Sequence, residues 1–258
     1  MKAIFITVRT GSTRLPQKAL RKIGTKTTIE LVMDGVKKSI KADLVILCTT
    51  ELPEDDVLCR LAVRSGIHFF RGSSEDKLER WRGAAERYGV EFFITADGDD
   101  LLCDPELIDL GFSQYERTGA DFIEGKNVPC GAFTYGISVD ALNKVCRIKD
   151  TTETEMIVPY FTETGLFKVE ELEDVPEVLR RPEIRMTLDY EDDLKFFTEV
   201  YSHFNGSFTL RDVIRFLDEN PKVIEINQYL QARYLANQKS KTNIILKGAN
   251  EPQQVSWQ

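Results

Sequence analysis

The sequence predicts an α/β fold in which helices cover both faces of an open, mostly parallel sheet. Three observations carry this. The run at 3–8 is apolar, β-branched and nearly continuous, as in a strand buried on both faces, and further strand runs follow at 42–48, 67–70 and 90–96. Segments with apolar residues at helical spacing separate them. Charged loops follow the carboxyl ends of the strands, where ligands bind in such sheets because helix N-termini and free backbone N–H groups converge there.

Residues 3–8 form the first strand and release the loop Arg9-Thr10-Gly11-Ser12-Thr13-Arg14-Leu15-Pro16-Gln17-Lys18. Arg9, Arg14 and Lys18 supply positive charge, Gly11 permits close approach of the backbone, and Ser12 and Thr13 add hydroxyl donors, a set that suits a polyphosphate. A solvated basic turn has the same composition. The spacing fits neither a Walker A loop nor a dinucleotide-binding fingerprint. Ile29, Val32, Met33, Val36 and Ile40 predict a helix over 29–40 lying on the sheet. After the strand at 42–48, hydroxyls and acids introduce a helix over about 54–65 that Gly66 stops.

The third strand delivers Arg71-Gly72-Ser73-Ser74-Glu75-Asp76 to the same sheet edge, and Ser73 or Ser74 can cap a helix over 76–88. Asp76 and Arg80 are spaced for an ion pair. The fourth strand ends in Asp97-Gly98-Asp99-Asp100, an acidic cluster opposite a basic loop. Hard cations such as Mg²⁺ take one or two carboxylates together with phosphate oxygens and water. Asp104 and Pro105 read as N-cap and first residue of the next helix, which makes Asp104 structural.

Strands are expected within 121–138 around a Val128-Pro129-Cys130-Gly131 turn, then a helix over 139–146 and an acidic excursion over 167–175. A last strand over 186–188 ends on Asp189. Tyr190-Glu191-Asp192-Asp193 opens the helix that follows, and its acids suit the dipole. Thr209 caps a further helix that Pro221 stops, and the tail over 240–258 reads as weakly ordered apart from Ile244-Ile245-Leu246.

Composition narrows the partners. Hydrophobic residues make up 42% and charged residues 29%, ordinary for a globular chain, and a net charge of -8 argues against nucleic acid or an anionic membrane as the main partner. No apolar stretch has the length of a membrane span or the form of a signal peptide, so a cytoplasmic protein is expected. Five cysteines without CxxC spacing indicate neither a disulfide framework nor a zinc site, and two histidines make a His-based centre improbable.

The loop resembles the R-x-G-S-T-R-L-P-x-K-x-L signature of cytidylyltransferases of the spore-coat-polysaccharide biosynthesis protein F type, which are related to CMP-sugar-acid synthetases. The resemblance continues at Phe70-Arg71-Gly72-Ser73 with Asp76 and Leu78, at Gly98-Asp99 with Asp104-Pro105-Glu106-Leu107-Ile108-Asp109, and at Thr187-Leu188-Asp189 with Asp193-Leu194. It implies a Rossmann-like three-layer α/β/α sandwich of the nucleotide-diphospho-sugar transferase (GT-A-like) kind over 1–220, with an acceptor or dimerisation insertion at about 121–175 and a C-terminal extension, partly disordered, over 221–258. It also implies CTP and a small-molecule acceptor as partners, Mg²⁺ as cofactor, and a homodimer as an expected assembly.

By the same resemblance, Arg14 and Lys18 act in catalysis, while Arg9, Gly11, Ser12, Arg71 and Asp76 bind the nucleotide, Arg71 near the base. Asp99 and Asp189 hold the metal. Arg71 also fits a surface pair with Glu75 or Asp76; Asp97 is an addition to the family pattern and Asp100 fits a turn. Where relatives carry P-D-G-x-D-x-E and R-E-H-V-T-P-Y, this chain has Pro129-Cys130-Gly131-Ala132-Phe133-Thr134-Tyr135 and Thr154-Glu155-Met156-Ile157-Val158-Pro159-Tyr160. That carboxylate-poor wall predicts an anionic acceptor, a sugar acid or phosphorylated molecule, with Arg181 or Arg185 as counter-charge.

The leading reading is attack of an acceptor on the α-phosphorus of CTP. Asp97-Gly98-Asp99 also spells the D-x-D motif of a GT-A glycosyltransferase, but a glycosyltransferase has no γ-phosphate for the Arg9 to Lys18 loop to grip. A nucleotide-binding protein without catalysis is the third reading, motivated by the altered acceptor segments.

Overall fold

In the computed structural model the described residues are 1–204, 206–241, 243–247 and 253–254. Seven strands form one sheet: β1 (Lys2–Thr7), β2 (Leu44–Thr50), β3 (His68–Gly72), β4 (Phe92–Asp97), β5 (Phe122–Glu124), β6 (Tyr135–Ser138) and β7 (Val169–Glu171). Their spatial order is β3-β2-β1-β4-β6-β5-β7, and β6 alone runs against its neighbours. The mixed, mostly parallel α/β architecture is therefore as the sequence implies.

Alternation along β1 explains the layers. Ile4 and Ile6 join the core beneath α1 (Thr28–Val36), α2 (Asp56–Arg64) and α4 (Pro105–Thr118), where α7 (Glu191–His203) and α8 (Leu210–Glu219) also pack. Ala3 and Phe5 face the opposite core, built with α3 (Lys77–Tyr88), α5 (Val139–Ile148) and α6 (Val158–Thr162), where Phe5 stacks on Phe93 at 4.3 Å. Each buried ring of this kind is worth about 1.5–3 kcal/mol of transfer free energy.

The chain steps outward from β1 to β2 to β3, then returns through α3 to place β4 on the other side of β1. The order reverses between β1 and β4, and their carboxyl ends open the crevice where such sheets bind ligands. Gly98 permits this. A Cβ there would lie 2.7 Å from Val8 Cβ, so only glycine lets the exit of β4 press against that of β1.

Several expectations change. The helix at 29–40 ends at Val36, because the Asp109 carboxylate holds Ser39 Oγ at 2.5 Å and the N–H groups of Ile40 and Lys41 at 3.1 Å, leaving Ile40 87% exposed. Asp76, not Ser73 or Ser74, caps α3 by accepting from Glu79 N at 3.1 Å. The stretch 121–175 supplies β5, β6 and β7 of the sheet, the last within the acidic excursion. Residues 186–188 form no sheet strand; a single bridge at Arg185 and the loops beside them hold them extended.

The segment after 220 also belongs to the body of the domain. Pro221 ends α8 but begins α9 (Pro221–Glu225), and α10 (Leu230–Lys241) follows. Asn227 donates to Asp193 Oδ1 at 2.9 Å, and Ile244 is buried in the second core. The expected weak order of the tail otherwise falls mainly outside the described residues.

Candidate active site

The loop after β1 is fixed from inside. Leu15 and Ala19 are buried in the core, which turns the intervening polar residues outward. Thr10 is held by Asp55, whose Oδ1 accepts from Thr10 N at 2.8 Å and Thr10 Oγ1 at 2.7 Å while Oδ2 accepts from Thr50. Burial works against that carboxylate's charge, yet the hydroxyl and amide donors of Thr10 and Thr50 keep its pKa below the ordinary value.

A cavity of about 400 Å³ lies against this loop, lined by Arg9, Gly11, Ser12, Arg14 and Lys18 and, from the first turn of α3, by Lys77 and Arg80. Arg80 is 5% exposed, and its Nη1 donates to Ser73 O at 2.7 Å. Burial lowers its pKa, since no carboxylate neutralises it within ion-pair distance among the described residues. Lys77 and Arg80 were missed in the sequence. Their spacing on one face of a first turn after a serine-rich loop was the available signal.

Two expected nucleotide contacts lie elsewhere. Arg71 Nη1 pairs with Asp56 at 2.6 Å, its Nε and Nη2 donate to Thr50 O and Leu52 O, and it lines neither this cavity nor the next. Asp76 is buried against Lys149 and accepts from Thr154 Oγ1 at 2.9 Å, which clamps the loop after α5 to α3, and it lines neither cavity. Arg80 does not pair with it. The partners of both come from other parts of the chain, the loop after β2 for Arg71 and the segment after α5 for Asp76.

At the crevice, Asp97, Asp99 and Asp100 present carboxylate oxygens within 4.8 Å of one another. Asp189 joins them from 90 residues onward through backbone pairing: Leu188 N donates to Asp99 O at 2.9 Å and Met186 N to Cys130 O at 2.7 Å. Gly131, at φ +94, allows that approach, since a Cβ there would meet Met186 O at 2.2 Å.

Lys18 Nζ binds Asp99 and lies 2.9 Å from Asp189 Oδ1, which also receives Arg14 Nη2 at 2.6 Å. Although burial disfavours its charge, Asp99 and Asp189 raise the Lys18 pKa; Asp189, likewise opposed by burial, is lowered by Lys18 and Arg14. Burial first, and then Asp99 and Asp97, push the Asp100 carboxyl well up. Asp100 is thus part of the cluster and more than a turn residue.

Asp193 exceeds its expected dipole role. It takes a bidentate pair from Arg185, through Nε at 2.9 Å and Nη2 at 3.0 Å, and accepts from the N–H groups of Asp189 at 2.8 Å and Tyr190 at 3.0 Å.

A second cavity of about 440 Å³ lies beyond the acids. Glu124, Lys126, Cys130, Phe133, Thr134, Tyr135 and Met156 line it, and α10 closes it with Gln231 and Tyr234. Arg14, Lys77, Asp97, Asp99 and Glu155 line both cavities.

A basic loop facing a carboxylate cluster at the switch point, with room on either side, defines a nucleotidyl-transferring enzyme. The family model described as "Cytidylyltransferase" matches residues 3–240, and the chain belongs to that family, whose members are CTP-dependent nucleotidyltransferases. An uncharacterized protein of Methanocaldococcus jannaschii is 35% identical over 237 residues, 90% of this chain and 97% of that one. The spore coat polysaccharide biosynthesis protein SpsF of Bacillus subtilis is 28% identical, over 84% of this chain and 94% of its own. Among solved structures, a cytidylyltransferase from Leptospira borgpetersenii superposes with a TM-score of 0.79 at 28% identity, covering 86% of this chain and 96% of that one. A CMP:2-keto-3-deoxy-manno-octonic acid synthetase complexed with CTP shares the fold, with a TM-score of 0.60 at 14% identity over 78% and 98% of the two chains.

Proposed function

We propose that the chain moves CMP from CTP to a hydroxyl of a small acceptor, with Mg²⁺ on Asp99 and Asp189, in the biosynthesis of a surface polysaccharide or modified sugar. The observation that carries this is the pair of cavities sharing Arg14, Lys77, Asp97, Asp99 and Glu155, which lets donor and acceptor meet across one carboxylate cluster. The polysaccharide setting comes from the likeness to SpsF. Five unpaired thiols support a reducing, cytoplasmic setting.

Arg9, Ser12, Arg14, Lys18, Lys77 and Arg80 line the first cavity and would grip the phosphates through charge-assisted hydrogen bonds. The acceptor oxygen bonds to the α-phosphorus as the bond to the bridging oxygen breaks, and pyrophosphate leaves. The hydroxyl proton passes to the adjoining carboxylate cluster.

The residues fit a hard dication. Oxygens of Asp97, Asp99 and Asp100 lie within 4.8 Å of one another, and Lys18 bridges Asp99 to Oδ1 of Asp189, whose Oδ2 has no hydrogen-bond partner and lies 3.6 Å from Arg185 Nη2. Bound there, Mg²⁺ would offset phosphate charge. Arg14 and Lys18 hold the triphosphate in line and stabilise the charge that moves onto the leaving group. A sugar-transfer reading through Asp97-Gly98-Asp99 leaves the cationic loop cavity without a purpose. A binding-only reading leaves the second cavity without one.

The test is pyrophosphate release with CTP, Mg²⁺ and an acceptor panel, beside the unfolding midpoint with each nucleoside triphosphate. CTP at a hundredfold over its Kd should stabilise by about 2.7 kcal/mol. Equal shifts with every triphosphate, and no pyrophosphate, would overturn the reading.

A further inference from the structure

We infer that Lys77 binds the phosphoryl group in transfer, holding the α-phosphate of the donor where the two cavities meet. The inference rests on the cytidylyl-transfer reading and gives Lys77 a role separate from those of Arg14 and Lys18 at the leaving group. An acceptor lying in one cavity reaches a phosphorus held in the other only along their shared border. Arg14, Lys77, Asp97, Asp99 and Glu155 line both cavities and so mark that border. Most of these are acids, and a phosphate drawn up to them needs a cation beside it.

The two cations at the border differ in commitment. Arg14 Nη2 is bound to Asp189 at 2.6 Å, whereas Lys77 forms no ion pair among the described residues; its ammonium lies 5.1 Å from the centre of the Trp81 ring. Such a cation–π contact steadies the side chain without cancelling its charge. Trp81 is itself fixed, for it is fully buried, its Nε1 donates to Thr7 Oγ1 at 2.8 Å, and its ring meets Phe93 edge-on at 5.5 Å. Thr7 stands opposite Asp97 in the register of β1 and β4. These contacts place the ammonium at the carboxyl ends of the two strands between which the order reverses. Burial pushes the Asp97 carboxyl up, and the charge of Lys77 opposes that shift without an ion pair between them.

Stability does not account for the lysine. It is the first residue of α3, where the helix dipole favours an acid and opposes a cation. An anion at the border gains from both the dipole and the ammonium. Arg181 and Arg185, expected from the sequence as counter-charges, line neither cavity; Arg181 pairs with Glu183 and Asp218, and Arg185 with Asp193. In the step itself the acceptor hydroxyl oxygen bonds to the α-phosphorus and its proton passes to the carboxylate cluster. The bond from that phosphorus to the bridging oxygen breaks, and its electron pair leaves with pyrophosphate. The non-bridging oxygens stay charged throughout, and an ammonium with three donors on a flexible stem can follow them as the phosphorus inverts.

Phosphorus NMR of CTP bound with Mg²⁺ to an excess of the full chain tests this, because the three phosphates give separate resonances. Lys77→Met, which keeps a stem over Trp81, should shift the bound α resonance and leave the bound β and γ resonances in place; those two also show that the variant is folded. Turnover with an acceptor identified by pyrophosphate release should fall about a hundredfold, with the KM for that acceptor within about twofold of wild type. Lys77→Arg, which keeps the charge, should recover turnover to within about tenfold. A shift confined to the β and γ resonances, no shift at all, or a higher acceptor KM at unchanged kcat overturns the inference. The wild type separates the two failures: if it binds CTP, only the assignment of Lys77 is wrong, and if it shows no bound CTP the underlying reading falls as well.

Discussion

The carboxylate of Asp193 accepts the backbone N–H of Asp189 at 2.8 Å while both its oxygens pair with Arg185. A buried ion pair thus sets the position of a proposed metal ligand four residues earlier. Removing one partner of such a pair leaves the other charge uncompensated, at a cost of about 3–5 kcal/mol. Asp193→Ala should lower stability by that order, read as the denaturant midpoint, whereas replacing Asp193 and Arg185 together by apolar residues of similar volume should cost less.

Lys18 and Arg14 line the cavity beside the loop after β1, and both also touch Asp189. Lys18→Ala and Arg14→Ala should each reduce kcat by about 10²–10³, the loss typical of one preorganised donor. Turnover measured beside the unfolding midpoint checks this, and equal losses in both would make the residues structural.

Asp99→Asn and Asp189→Asn should each remove Mg²⁺-dependent turnover from a protein that still folds, because a carboxamide keeps the shape without the charge. Asp97→Asn should be milder. An essential Asp97 beside a dispensable Asp189 would favour a D-x-D centre.

Asp55 links pH to the phosphate loop. Its folded pKa lies below the ordinary 3.8, so its contribution to stability is present above that value and is lost as pH falls through the lower folded one. The stability gap between the wild type and Asp55→Ala should therefore be constant near neutrality and shrink only below about pH 4. CTP affinity should fall in the variant at every pH, since Thr10 loses its anchor.

Arg71→Ala tests where the base is read. With its guanidinium committed to Asp56, Thr50 and Leu52, its removal should change the CTP Kd less than threefold, by calorimetric titration, while Arg80→Ala should change it more than tenfold.

The sequence by itself determined what is local. Continuous apolar runs marked the central strands because burial on both faces leaves no alternation, Asp104 announced its cap through the proline that follows, and the loop after β1 declared its charge. Only the tertiary structure decided which of these groups meet. Lys18 and Asp189 are 171 residues apart and touch because Gly131 lets the 186–189 segment lie against Asp99 and Cys130. Arg71 and Arg80 look alike as text, yet one is bound by the loop after β2 and the other lines the cavity. Gln231, Tyr234, Leu235, Asn237 and Gln238 carry no motif in the sequence, yet they wall the second cavity, with Arg185 bound to Gln231 and Asp193 to Asn227 just before the helix. Periodicity records how much of each side chain is buried; which partner it finds depends on crossovers and close backbone approaches between distant segments, which no local pattern encodes.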